Sequence, residues 1–293
     1  MISVSQDKNT FYYVHWIPSE QGPLVLDYGK EIIKDDLNDL YYNALNAIRM
    51  KIKDDNHIFS ISLDSKIVLF SQTSIEDEFD HFDVLNWFND QTIGNQTDGD
   101  NETFHYSFTK KQRMYLNVHF KSQIKDSIKR FAQDYNSEIR NLGLGIFSAE
   151  IAARCIYNAD YHKKYAVLKI AQDCELLIVS GGELVSFLNF NIKEKKIILN
   201  VNYGDVVESK KILKDLEIII SNKDNKIKSV DHLYYYKGKG KFKVIENLLK
   251  FKKVNATSLN IFSKLKFNEN QKIIDVDAMQ YAEIGASFWG IDV

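Results

Sequence analysis

Among 293 residues there are only two cysteines and two prolines. Cys155 and Cys174 stand far apart, without a CxxC pair or a histidine at ligand spacing. That excludes a zinc knuckle and a disulfide framework, fits a reducing compartment, and leaves both to be read as small buried apolar residues. Pro18 and Pro23 are the whole proline content, and no Ser/Gly/Pro-rich linker interrupts the chain. Continuous folding is expected, apart from a polar loop at 90–104. No apolar run approaches the ~20 residues of a membrane span. The opening "MISVSQDKNTFYYVHW" lacks the basic region, apolar core and small-residue cleavage site of a signal peptide. Charge of one sign is missing too: 38 basic against 40 acidic residues leave a net charge of -2, which argues against nucleic acid as the main partner. The seven histidines form no HxxxH or HExxH, and GxSxG is absent, so neither a zinc protease nor a serine hydrolase is indicated.

With 44% hydrophobic residues the chain has material for a sizeable core in one large or two smaller domains. "ISV" and "FYYVHWI" around "SQDKNT", then "PLVLDYG", alternate as strands. Leu37, Leu40, Tyr41, Ala44, Leu45, Ile48 and Ile52 recur at three and four and predict a helix. "HIFSISL", "KIVLFSQ" and "MYLNVHF" predict strands. Ile124, Ile128, Phe131, Tyr135 and Leu142 predict one long helix from Lys121 to a glycine cap at Gly143, followed by the short strand "LGIF" and a helix capped by Ser148. "YAVLKIAQDCELLIVSGGELVSFLNF" then spells strand, turn, strand, Gly-Gly hairpin, strand. "VVESKKILKDLEIII" and "KVIENLLKF" predict helices, "HLYYYK" and "TSLNIF" strands, and "DAMQYAEIGASFWG" a last helix. The class is α/β, in two similar halves that each open with a strand–turn–strand unit.

Some stretches have two readings. "KGKGKFK", Lys237 to Lys243, reads as a phosphate or nucleic-acid patch or, more often for such a run, a solvated edge. "SIEDEFDHFD" lacks the Asp-x-Asp-x-x-Gly grammar of a calcium loop and reads as a solvated turn. Tyr234, Tyr235 and Tyr236 read as strand packing rather than a base-stacking platform.

Duplicated halves, each starting with a hairpin, describe the actin-like ATPase fold, and within it the chain resembles the PilM type of type IV pilus assembly, related to the cytoplasmic half of GspL and to FtsA. The resemblance runs over nearly the whole chain and rests on element order and a few stretches. "MISVSQDKNTFYYVHW" and "YAVLKIAQDCELLIVSGGELVSFLNF" stand where that family has its two phosphate hairpins. "YLNVHFKSQIKDSIKRFAQDYNSEIRNLGLGIFSAEIAA" resembles its strand, long helix, turn and interdomain helix. "VDHLYYYKGKGKFKVIENLLKF" stands at the adenosine loop, and "MQYAEIGASFWGI" at the closing small-residue helix. "VLNWFNDQTIG" falls in the place of the extra subdomain that PilM and FtsA carry. The implied architecture is a duplicated ASKHA, RNase H-like fold with a reduced fourth subdomain. Its first half would span 1–83, 141–158 and 272–293, the inserted subdomain 84–140, and the second half 159–271.

The departures sit at the chemistry. Glycine lets backbone N–H groups close on phosphate, and an acid in each hairpin handles Mg²⁺ and water. The first loop, Ser5, Gln6, Asp7, Lys8 and Asn9, has no glycine, and Val4 stands near the expected acid. In the second, Lys169-Ile170-Ala171-Gln172-Asp173, a lysine stands for the acid and Ala171 for the glycine. Gly238 and Gly240 survive in the third, among Lys237, Lys239 and Lys241. A lysine attracts phosphate but does not ligate a metal. The expectation is therefore a scaffold and pseudo-ATPase with no catalytic residue, no metal and no cofactor. The alternative is a nucleotide-binding ATPase or switch that holds ATP with Mg²⁺ in an altered site through Lys8, Lys169 and Gly238. A sugar-kinase-like enzyme would want a catalytic Asp at a helix start, and none is located.

The resemblance further implies a cytoplasmic protein, peripheral at a bacterial inner membrane through a partner and not inserted in it. That partner is a PilN-like single-span protein whose N-terminal peptide lies in a groove. By position the walls would be Leu85, Trp87, Phe88, Ile93, Phe104, Tyr106 and Phe108, with Ile146 and Phe147 nearby. The plain alternative is that these side chains form the small subdomain's core. A homo-oligomer is possible in this family, although filaments are not expected here because the segment after Asn202 is short for a full fourth subdomain.

Overall fold

A computed structural model of the chain describes residues 1–20, 22–52, 57–75, 101–109, 113–221, 227–238, 255–268 and 278–288. β1 (Ile2–Asp7), β2 (Thr10–Ser19) and β3 (Gly22–Ile32) form an antiparallel meander. The helix α1 (Leu37–Lys51) follows, with the Asp36 side chain accepting from the Asn38 N–H at its start and Leu40, Tyr41, Ala44, Leu45 and Ile48 buried. β4 (Ile58–Leu63) then pairs parallel with β1. β5 (Val68–Ser74), β6 (Asn101–Ser107) and β7 (Met114–Lys121) make a separate three-stranded sheet in the order β5-β7-β6.

After α2 (Ser122–Asp134), β8 (Glu138–Leu144) returns to the first sheet beside β4, and α3 (Gly145–Cys155) leads to the second half. There β9 (Lys164–Ile170), β10 (Cys174–Ser180), β11 (Glu183–Lys193) and β12 (Lys196–Gly204) run antiparallel, followed by α4 (Val206–Ile220). β13 (His232–Lys237) and β14 (Ala256–Ser258) add in parallel on the other side of β9. The short β15 (Lys266–Phe267) pairs with β3, and a 3₁₀ helix, Ala278–Phe288, packs on α3 and β1.

The duplication is explicit in the strand orders. The first sheet runs β15-β3-β2-β1-β4-β8 and the second β12-β11-β10-β9-β13-β14. In each, a three-stranded meander is extended from its first strand by two parallel strands, so β3-β2-β1-β4-β8 and β11-β10-β9-β13-β14 are equivalent.

One core joins the first sheet, α1, α2, α3 and the small sheet to the inner face of the second sheet. The outer face of the second sheet is closed by α4, and that of the first by Tyr281, Ile284 and Phe288 against Tyr12, Val14 and Trp16. Cys155 and Cys174 are free thiols. No described helix is long and apolar enough to cross a membrane.

Four expectations are corrected. The long helix from Lys121 to Gly143 is two elements, since α2 stops at Asp134, Asn136 turns the chain at φ +47°, and Leu142 lies in β8. Asparagine tolerates that left-handed conformation, which a helix cannot continue through. "LGIF" is not a strand of its own: β8 ends at Leu144 and α3 begins at Gly145. Ser148 lies inside α3, not at its cap, with its Oγ 3.2 Å from the Leu144 carbonyl it donates to. The expected polar loop gives up Asn101 to Phe104, which belong to β6. "KVIENLLKF" lies outside the described residues.

Candidate functional site

Three turns distant in sequence converge between the halves. The first joins β1 to β2. Asp7 pairs with Thr10, so the turn has only Lys8 and Asn9, with Lys8 at φ +59°. It is pinned by Asp64, the residue after β4, whose carboxylate accepts from the Lys8 N–H at 2.7 Å and the Lys66 N–H at 3.1 Å. Gln6 is buried and steadies the turn from within, donating to the Lys8 carbonyl at 2.7 Å and accepting from the Tyr41 hydroxyl. Ser5 is buried beside it.

The second turn joins β9 to β10, beyond the cross-strand pair Lys169 and Glu175. Ala171 is buried, Gln172 exposed and Asp173 half-buried, 3.7 Å from the Lys66 ammonium. The third follows β13, where the Gly238 N–H donates to the Ile170 carbonyl at 2.9 Å. A Cβ on Gly238 would lie 3.2 Å from that of Ala171, 3.3 Å from the Asp7 carboxylate and 3.5 Å from the Lys169 stem. Asp7, Lys169, Ala171 and Gly238, predicted from three separate stretches, are thus brought together. Gly240 lies outside the described residues, and Lys8 is exposed at the rim.

At the centre is a buried charge cluster. Lys169 is 5% exposed and Glu283 3%, with ammonium and carboxylate 2.7 Å apart. The Tyr236 hydroxyl donates to the same carboxylate oxygen at 2.7 Å. Glu175, also buried, accepts from the Ser65 hydroxyl. The Glu283 carboxylate rests on Gly145 at the start of α3, where a Cβ would come within 2.5 Å of it. Only glycine leaves that room, and a helix N-terminus is favourable for an anion.

The cluster therefore ties the first half, through Asp64, Ser65 and Glu283, to the second, through Lys169, Glu175 and Tyr236. Sequence reasoning found Lys169 and missed Glu283, Glu175 and Asp64. The signal was present: Glu283 is the lone charge in "AMQYAEIGASF", as Lys169 is in "YAVLKI", and a lone charge in an apolar segment needs a partner.

Burial alone would discharge Lys169, but Glu283, Glu175 and Asp64 outweigh it and hold the ammonium charged, far above its ordinary range. Burial pushes Glu283 up to about 7 against the pull of Lys169, and burial raises Glu175 as well. A carboxyl raised in the folded state holds a proton there that it has lost in the unfolded chain. Its stabilisation is complete below the ordinary carboxylate value of 4.5 and disappears as pH rises through about 7. The melting temperature is expected to fall between pH 5 and pH 8, with Glu283→Gln showing a shallower fall. Parallel wild-type and variant profiles across that window would contradict the assignment.

The expected groove residues lie on the small sheet and α3. Phe108 and Ile146 are buried, while Phe104, Tyr106 and Phe147 are half-buried. Tyr106 stacks on Phe147 with ring centroids 3.7 Å apart, and its hydroxyl accepts from the Leu144 N–H at 3.4 Å. Phe104 meets Tyr106 edge-on at 5.6 Å. Next to Phe108, the Thr109 N–H donates to the Leu184 carbonyl of β11 at 2.9 Å. Leu85, Trp87, Phe88 and Ile93 lie outside the described residues. Among those described, no group of three or more His, Cys, Asp or Glu is placed to hold a metal ion.

No protein-family model matches the chain, and no curated protein matches it. Solved structures do. A PilM–PilN type IV pilus biogenesis complex aligns over 97% of this chain and 96% of its own at a TM-score of 0.59 and 8% identity. The cytoplasmic domain of EpsL, an inner membrane component of the type II secretion system of Vibrio cholerae, aligns over 99% and 96% at 0.47 and 10% identity. A Bacteroides thetaiotaomicron protein with actin-like ATPase fold and unknown function aligns over 87% and 90% at 0.43 and 13% identity. The first of these, with the repeated strand order of the two sheets, shows that this chain has the duplicated actin-like α/β fold.

Proposed function

We propose that this chain is a degenerate actin-like scaffold, a pseudo-ATPase, at the cytoplasmic face of a bacterial inner-membrane pilus or secretion assembly machine. It would be held there by the N-terminal peptide of a PilN-like single-span partner. The observation that carries the reading is the buried Lys169–Glu283 pair at the meeting of the three turns. In a working site of this fold, phosphate and its metal need that place. Here the one buried ammonium among the described residues is already engaged, and Glu175, Glu283 and Asp64 around it would repel a triphosphate. A lysine ligates no Mg²⁺, and a turn of only Lys8 and Asn9 offers no glycine-lined cradle. The residues present do not suit a magnesium nucleotide, and no catalytic step is assigned to them.

The peptide would lie against the half-buried faces of Phe104, Tyr106 and Phe147, with backbone hydrogen bonds giving affinity and pockets giving register. The division into 1–83 with 141–158 and 272–293, an insert at 84–140, and 159–271 is part of the same proposal.

A second reading, a nucleotide switch with an altered phosphate site, has one observation in its favour. Asp7, Lys169 and Gly238 still converge as phosphate-binding turns would. Thermal melts separate the two when run with millimolar Mg-ATP in one arm and a synthetic PilN-like N-terminal peptide in the other. A ligand specific to the folded state adds about 2.7 kcal/mol at a hundred times its dissociation constant. A shift with peptide and none with nucleotide is expected. A clear shift with Mg-ATP would select the switch, and no shift with the peptide would remove the proposed partner.

A further inference from the structure

Among the described strands, the second sheet has one long exposed edge. β12, nine residues long, is bonded to β11 on one side and stands at the sheet's edge on the other. Edges are usually blunted by short strands, lysines or prolines. Of the other edges of the two six-stranded sheets, β14 and β15 have three and two residues, and β8 carries the Glu138–Arg140 ion pair. Between Ile197 and Gly204, β12 has no charge and no proline, and Ile198 and Leu199 are 45% and 43% exposed.

The outward-facing backbone groups follow from the register. The Ile197 N–H donates to Glu217 at 3.2 Å and the Gly204 N–H to Gln72 at 2.8 Å, so both point away from β11. N–H groups alternate along an antiparallel ladder, which turns Leu199 outward with Ile197, and Asn202 outward with Gly204. The two series are out of phase because the register slips by one between Asn189 and Phe190, leaving Asn200 as an extra residue.

The outward set Ile197, Leu199, Asn202, Gly204 has an irregular spacing in its middle. A regular strand cannot match both Leu199 and Asn202. A strand with the same extra residue can, because the set reads the same in both directions about the midpoint between Asn200 and Val201. Such a strand is at hand in a second copy of this chain.

We infer that two copies join through β12 on a two-fold axis, extending the second sheet across both. Leu199 exchanges two backbone hydrogen bonds with Asn202 of the second copy, and symmetry doubles the set. In this register Ile198 faces Tyr203 of the second copy, and Lys196 faces Asp205 of the second copy, so charge and apolar surface are both complementary. The side-chain acceptors Glu217 and Gln72 already serve the outer N–H groups, so the contact is short and association depends on concentration.

Sedimentation equilibrium on the full chain tests this, from low micromolar to the highest soluble concentration. The weight-average mass is expected to climb from one chain to two and stop there. Asn202→Pro removes an outward N–H without touching the ladder to β11. The Ser209 hydroxyl that it orphans keeps the Asp205 carbonyl at 2.8 Å as acceptor. Ile198→Lys, at an exposed position, is the second variant should the proline disturb the fold. Either is expected to weaken self-association by about tenfold or more while the circular dichroism spectrum stays unchanged. A wild-type chain that is monomeric throughout overturns the inference, as does a dimer that persists in both variants.

Discussion

Lys169→Met is expected to lower the unfolding free energy by about 3–5 kcal/mol, the usual cost of stranding a buried charge. The lysine is at once the partner of Glu283 at 2.7 Å and a positive charge that acts on both Glu175 and Asp64. Without it, three acids share one water-poor site. At least one must take up a proton at neutral pH, so the loss should be larger at pH 8 than at pH 5.5. The double variant Lys169→Met with Glu283→Gln should recover much of the loss, since glutamine still accepts the Tyr236 hydroxyl and brings no charge. Denaturant unfolding of the four chains gives the coupling energy. Additive effects, or a single variant within about 1 kcal/mol of wild type, would mean that the cluster does not hold the halves together.

Phe187→Ala should cost about 3–5 kcal/mol as well, by a different mechanism. Its ring is fully buried in β11, with centroids 4.9 Å from Phe70, 6.3 Å from Phe147 and 6.4 Å from Tyr203. Those three rings belong to the small sheet, α3 and β12, so one side chain fastens three units. Tyr203 adds a hydroxyl bond to the Phe70 carbonyl at 2.9 Å, which alone would be a modest tie. With Phe187 truncated, amide exchange should accelerate in β5 and β12 before it does in β1. Leu69→Ala, at a position 70% exposed, is the control and should stay within about 0.5 kcal/mol. A Phe187→Ala chain no less stable than that control would show that the small sheet is held elsewhere.

Much of the fold was legible from periodicity. The α1 stripe, the Gly181–Gly182 turn at φ +59° and +75°, and the repeated strand–turn–strand units stand where the pattern put them. The error at α2 has a physical origin. Tyr135 and Leu142 prolong a helical spacing by coincidence, and the turn between them is carried by Asn136, which periodicity cannot see. For the site, local reading identified the turns because turn chemistry is local. It missed Glu283 because the partnership with Lys169 is made by tertiary packing between segments far apart in sequence. The groove residues Phe104, Tyr106 and Phe147 carry no signature that separates a docking surface from a core, since both are written in the same aromatic side chains.

The first half is discontinuous, and that has a consequence for biosynthesis. Ser3 donates to the Ser287 hydroxyl at 2.6 Å across 284 positions, and Trp16 lies against Phe288 at 5.1 Å. On a ribosome adding about 5–20 residues per second, the outer face of β1 and β2 waits on the order of tens of seconds for its cover. The second half, contiguous from β9 to β14, can fold sooner. Nascent chains stalled before the 3₁₀ helix should therefore expose Tyr12, Val14 and Trp16 to chaperones, and emergence of Ala278–Phe288 becomes the step that commits the first sheet to its native state.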